Sequence, residues 1–207
     1  HAAAEWAENP AALDLARDAV RHADIVVANL LFIEEHIQAI LPDLQARRDH
    51  CDAIIGVIAD PQVVKLTRMG DLDMAKPASG AMALLKRLRG SSKPSAASGE
   101  KQMKLLRRLP KILKYIPGKA QDLRAWFLSM QYWLGGSDDN VEAMIRFLVS
   151  RYSREAAWRG RGAAAPIDYP EVGLYHPDLP GHHITTDIDA LPGPERPVAT
   201  VGLLMLR

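Results

Sequence analysis

Apolar positions follow two different rhythms along this chain. Leu13, Ala16, Val20 and Ala23 recur at helical spacing behind Pro10, a residue favoured in the first turn, and predict a helix over 11–23. Residues 24–32 (DIVVANLLF) form instead a short apolar run rich in branched side chains and without alternation. That is the pattern of a strand covered on both faces, as in a parallel sheet. Residues 52–59 (DAIIGVIA) and 198–206 (VATVGLLML) repeat it. Between the first two runs, Ile33, Ile37, Ile40, Leu41 and Leu44 trace one helical face, which gives a strand, helix, strand unit. The expected class is α/β, with a partial parallel sheet from strands near 24–32, 52–59 and 198–206.

The middle of the chain breaks that rhythm. Residues 78–90, 100–116, 120–134 and 139–152 all carry helical patterning, separated by Gly, Pro and Ser, and form a helical insertion over about 78–155. Asp139 with Glu142 three residues on resembles a capping box opening the last helix. Pro110 is expected to end or kink the helix it sits in, because its ring removes a backbone donor and clashes with the preceding turn. The small polar stretch 90–99 (GSSKPSAASG) predicts a flexible loop, and the Pro/Gly-rich residues 159–197 predict an extended wrap before the final strand.

Composition narrows the class further. With 207 residues, 48% of them hydrophobic, the chain can bury one sizeable core. No apolar run approaches the ~20 residues of a bilayer-spanning helix, and HAAAEWAENP lacks the basic start and apolar centre of a secretory signal. No transmembrane segment and a cytoplasmic location are therefore expected. The single cysteine, Cys51, adjoins the apolar residues 53–55 and reads as a small buried filler rather than a nucleophile. The chain begins with His1, not Met, and runs straight into a helix-like stretch, which suggests a fragment.

Charge is distributed unevenly. Residues 86–119 hold eleven Lys and Arg against Glu100 alone, a net +10 in a chain of net +1, so the remainder carries −9. A block like this repels itself. Leu105, Leu106, Leu109, Ile112 and Leu113 supply the apolar packing that would hold it together, and its positive face would meet something negative. A solvated helix face with no specific partner is the plain alternative.

Three stretches are too particular in their order of charges, aromatics and breakers to be generic. They are GDLDMAKP (70–77), LPKILKYIPGKAQDLRAWFLSMQYWLGGSDDN (109–140) and GLYHPDLP (173–180). In this order they resemble the N-terminal region of the large, porphyrin-binding H subunit of magnesium chelatase, of the bacteriochlorophyll-pathway type, with cobalt chelatase large subunits as distant relatives. The resemblance covers essentially the whole chain. It implies that residues 1–207 are an N-terminal α/β domain fragment of a larger subunit. The whole complex inserts Mg2+ into protoporphyrin IX at the expense of ATP, and separate AAA+ motor subunits hydrolyse that ATP. The resemblance carries over no catalytic residue, and it gives the fragment a scaffold or docking role, with little activity of its own and no confidently bound cofactor. Consistent with an ATPase located elsewhere, the glycines of LGGSDDN lack the Gly-Lys-Ser/Thr that completes a P-loop.

The resemblance makes the basic block concrete. Protoporphyrin carries two propionates, and Arg107, Arg108 and Lys111 are candidates to bind them, or to bind a partner subunit, through charge-assisted hydrogen bonds. Trp126, Met130, Trp133 and Leu134 form one stripe of a helix flanked by Phe127 and Tyr132; Trp133 is the candidate to cover a flat macrocycle, although such a stripe is more often core. His176, His182 and His183 lie near Asp178, Asp187 and Asp189, but neither zinc nor magnesium spacing is present, and turn hydrogen bonding is the plainer reading. His36, beside Glu34 and Glu35, falls at the strand end where α/β folds place ligands; two acids opening a helix need no site to explain them. From another class altogether, a nucleic-acid-binding module built on the basic helices is weakened by the absence of interleaved aromatics and by a pI near 8. A free-standing α/β small-molecule enzyme would want a Gly-rich loop after the first strand, which is missing.

Overall fold

Helix α1, Pro10–His22, starts where the side chain of Asn9 accepts the Ala12 amide at 3.3 Å and Pro10 fills the first turn. It leads into β1, Ile25–Asn29; α2, Glu34–Arg47, then returns the chain to β2, Ala53–Val57. β1 and β2 pair in parallel, from Ile25 opposite Ala53 to Asn29 opposite Val57. The expected strand, helix, strand unit is therefore present. These features belong to a computed structural model that describes residues 1–76, 110, 113, 114, 118, 120–170, 172–180 and 182–193. The chain divides into two units, His1–Ile167 and Asp168–Arg207.

In the first unit the sheet is covered on both faces, as its unbroken apolar runs predicted. Val26, Ala28 and Ile54 pack with Ala16 of α1 and with Ile37, Ile40, Leu41 and Leu44 of α2. Ala53, Ile55 and Val57, pointing the other way, join the core built by two later helices. These are α4, Ala120–Gly135, and α5, Asp138–Tyr152, the described part of the expected helical insertion.

Three features depart from the expected pattern. A short helix α3, Pro61–Lys65, and two-residue strands β3, Arg68–Met69, and β4, Leu72–Asp73, follow β2, and both new strands pair antiparallel. The sheet, in order β1-β2-β3-β4, is thus mixed, parallel only between its first two strands. Helix α5 is capped by Ser137, whose hydroxyl accepts the Asn140 amide at 3.2 Å, and not by the Asp139 and Glu142 pair. Glu142 instead pairs with Arg146 at 2.5 Å, one turn along the helix.

The second unit contains an antiparallel hairpin of β5, Leu174–Tyr175, and β6, Ile184–Thr185, followed by a 3-10 turn over Ile188–Ala190. The Pro/Gly-rich stretch is therefore not wholly irregular, although residues 161–170 carry no regular structure. The strand expected over 198–206, the loop over 90–99 and the helices over 78–90 and 100–116 lie outside the described residues, apart from Pro110, Leu113 and Lys114 of the last. Among the described residues no helix is long and apolar enough to cross a membrane.

Candidate functional site

Of the four residues proposed to meet a porphyrin or partner, Arg107, Arg108 and Lys111 lie outside the described residues, and Trp133 is described. Trp133 is half-buried on α4 and packs against the edge of the core. The stripe it belongs to runs out of the interior. Trp126 and Met130 are buried, whereas Leu134 is 49% exposed. The flanking Phe127 and Tyr132 are buried more deeply than any member of the stripe, because α4 is clamped between the sheet on one side and α5 on another. The core reading holds for Trp126 and Met130.

Two described residues near the end of the basic block are tied to α4 through their backbone. The carbonyl of Pro110 accepts from Arg124 Nε at 2.9 Å, and that of Leu113 accepts from Gln121 Nε2 at 2.9 Å. Leu113 itself is fully buried in the core. These bonds fix where the end of the basic block meets the folded unit.

Two polar constructions join α4 and α5 to the sheet. Gly56 lies beyond the last antiparallel rung of β2, which pairs Ile54 with Arg68, so its peptide groups need side-chain partners. Thr67 Oγ1 accepts its N–H and Trp126 Nε1 donates to its carbonyl, both at 2.9 Å. Asp122, at the start of α4, accepts from the Asp71 amide at 2.8 Å, from Tyr152 Oη at 2.8 Å and from Arg151 at 3.1 Å. It thereby pins the β3–β4 turn to the end of α5. Burial, with the Asp122 carboxylate adding to it, pushes the Tyr152 phenol well above its ordinary value, against the opposing pull of Arg151. Nothing in the sequence pattern marks Asp122 as a junction, since its partners lie 29 to 51 residues away.

The other singled-out groups behave as structural elements. Cys51 is 1% exposed, and burial raises its thiol above the usual range despite nearby Arg68 and Arg47, so the buried-filler reading stands. In the second unit His176 Nδ1 accepts the Asp178 amide at 3.2 Å, and His183 Nδ1 meets the Leu179 carbonyl at 3.0 Å. These are the expected turn bonds. His36 sits edge-on to Trp6 at 5.9 Å between ring centroids. No three His, Cys, Asp or Glu among the described residues are placed to hold a metal ion.

Two surfaces of the first unit remain. One is an open groove of about 670 Å³ between α5 and the extended residues after it, lined by Asp139, Glu142, Arg146, Arg161 and the alanines 163–165. The other lies at the carboxyl ends of β1 and β2. Leu30 and Phe32, expected in the strand, and Ile33, expected on the buried face of α2, are instead exposed there, because β1 stops at Asn29 and α2 starts at Glu34.

The first unit is thus a mixed α/β domain in which α4 is hydrogen-bonded to β2 through Trp126 and to the β3–β4 turn and α5 through Asp122. The chain belongs to the family DUF3479, a domain of unknown function, which it matches over residues 1–127. Over all 207 residues it is 70% identical to the magnesium-chelatase H subunit of Rhodobacter capsulatus and 69% identical to that of Cereibacter sphaeroides. It is 32% identical over 162 residues to the chloroplastic ChlH subunit of magnesium chelatase from Oryza sativa subsp. indica, a match that covers 76% of this chain and 11% of the rice protein. The chain spans 17% of the length of the two bacterial relatives. The resemblance read from the three sequence stretches is thus upheld along the entire chain.

Proposed function

We propose that this chain is the N-terminal part of the porphyrin-binding subunit of magnesium chelatase and serves as its scaffold or docking domain. In this reading the whole complex inserts Mg2+ into protoporphyrin IX, with ATP hydrolysed by separate AAA+ motor subunits in the cytoplasm. The observation that carries the reading is 70% identity from the first residue to the last to a protein named for that activity.

The physical character of the domain agrees with it. Insertion requires two pyrrole protons to be removed and water to be stripped from a reluctantly dehydrating ion, which calls for a base and acidic ligands in a closed pocket. Among the described residues, three half-buried carboxylates are engaged structurally: Asp122 as described, Asp73 with Arg48, and Asp52 with Arg154 at 2.8 Å. What this chain offers instead is a rigid platform and a cationic block. Arg107, Arg108 and Lys111 bind the propionates of protoporphyrin or an acidic surface of a motor subunit, and Trp133 stands on the adjoining helix.

Reconstitution tests the reading. The full-length subunit, supplied with motor subunits, ATP, Mg2+ and protoporphyrin IX, yields magnesium protoporphyrin, seen as the shift of its absorption and emission bands. Absence of product with active motor subunits sinks the proposal.

A further inference from the structure

The loop that leaves β1 carries an apolar projection which the described residues do not cover. Leu30, Phe32 and Ile33 are 55%, 58% and 55% exposed, three large side chains within four positions. The backbone beneath them is held rigidly. Leu30 and Ile58, the residues just past β1 and β2, both adopt left-handed conformations, with φ of 53° and 47°. The Leu30 amide donates to the Ile58 carbonyl at 2.9 Å, and the Asp60 amide donates to the Leu31 carbonyl at 2.8 Å. Left-handed backbone is unfavourable for a leucine and more so for a β-branched isoleucine. Here that cost is spent on a loop that points its largest side chains at water, which core packing does not explain.

We propose that Leu30, Phe32 and Ile33 form a preorganised knob that inserts into an apolar, positively rimmed recess in a part of the same subunit outside these 207 residues. The inference rests on the reading of the chain as a piece of the larger chelatase subunit, and it names the surface by which the piece docks. Two observations select this occupant. The relatives that match the chain from end to end are far longer, the chain being 17% of their length, so most of the polypeptide is available to cover the patch. The knob is also followed at once by exposed Glu34 and Glu35 at the start of α2, which gives an apolar centre with an acidic flank and calls for an apolar recess edged by Lys or Arg. Permanent interfaces are the more apolar ones, which suits a contact made within one chain.

A thiol introduced by Phe32→Cys reports directly on whether the knob is covered. Its rate of maleimide modification, followed by peptide-resolved mass spectrometry, is compared in the 207-residue chain and in the full-length subunit. Covering slows the reaction by about ten-fold or more in the full-length subunit, at every subunit concentration and without motor subunits. Equal rates overturn the proposal. So does slowing that appears only at high concentration, which assigns the knob to a second copy, or only with motor subunits, which assigns it to them. As a second variant, Phe32→Asp leaves the thermal midpoint of the 207-residue chain unchanged and lowers that of the full-length subunit; an unchanged midpoint in both overturns the proposal. Metal insertion by the same full-length preparation separates the two claims. Turnover with a freely reacting thiol sinks the knob alone, whereas a protected thiol without turnover supports the knob and sinks the chelatase reading.

Discussion

The indole N–H of Trp126 donates to the carbonyl oxygen of Gly56 across 2.9 Å, joining residues 70 positions apart. The bond sits at the point where β2 has outrun its antiparallel partner, so it replaces a missing rung and sets the height of α4 over the sheet. Trp126→Phe keeps most of the buried ring and leaves the carbonyl only the long 3.4 Å contact with the Thr67 hydroxyl. A loss of about 1–3 kcal/mol in urea-unfolding stability is expected, and the same variant with intact stability would remove this bond from the account.

Gly56 is constrained from its other side as well. A Cβ there would meet the Val63 carbonyl oxygen at 2.6 Å and Val64 Cα at 2.8 Å, both backbone atoms of α3. The helix must shift to admit any side chain. Gly56→Ala is expected to cost about 1–3 kcal/mol, measured by chemical unfolding, and to raise hydrogen exchange in residues 61–65.

Tyr152 donates to Asp122 at the junction that holds the β3–β4 turn. Removing the hydroxyl with Tyr152→Phe costs about 1–2 kcal/mol near neutral pH. Burial and the neighbouring carboxylate hold the folded phenol protonated well above its ordinary range. The unfolded chain therefore ionises first, and the native contribution fades as pH rises past about 10. The gap between wild type and variant narrows there; a gap that widened would reverse the assignment.

Asp73 behaves in the opposite sense. Burial alone would raise its carboxyl, but the Ala75 amide, Arg48 and Lys76 together hold it below the usual carboxylate value. A depressed carboxyl contributes stability above the unfolded value of about 3.9 and loses it as pH falls through the folded one. The stability difference between wild type and Asp73→Asn is accordingly flat above about pH 5 and shrinks in acid below about pH 4. Urea unfolding at a series of pH values measures it.

The strand, helix, strand unit was legible because its signals are long: five-residue strands of branched side chains and a fourteen-residue helix with four buried apolar positions. β3 and β4 were not, since two residues apiece carry no period. The cap of α5 depended on the conformation of Ser137, which composition does not reveal when Asp139 and Glu142 offer a better-looking motif. Placing Trp133 with the core stripe and Tyr132 on its flank assumed a helix buried on one side, whereas α4 is clamped on two. The loop from Leu30 to Ile33 was misassigned for a related reason: an exposed apolar run has the same letters as a buried one. Family membership was readable from the order of charges, aromatics and breakers, whereas the contacts of Asp122 depended on tertiary placement alone.

The scaffold role stands or falls on metal insertion by a subunit from which residues 1–207 have been removed, compared with the intact subunit under identical motor subunits, ATP, Mg2+ and protoporphyrin. Circular dichroism confirms that the truncated protein is folded. The account predicts a loss of turnover of about ten-fold or more, the consequence of misplacing reacting groups that a platform had positioned. Turnover equal to that of the intact subunit would contradict it.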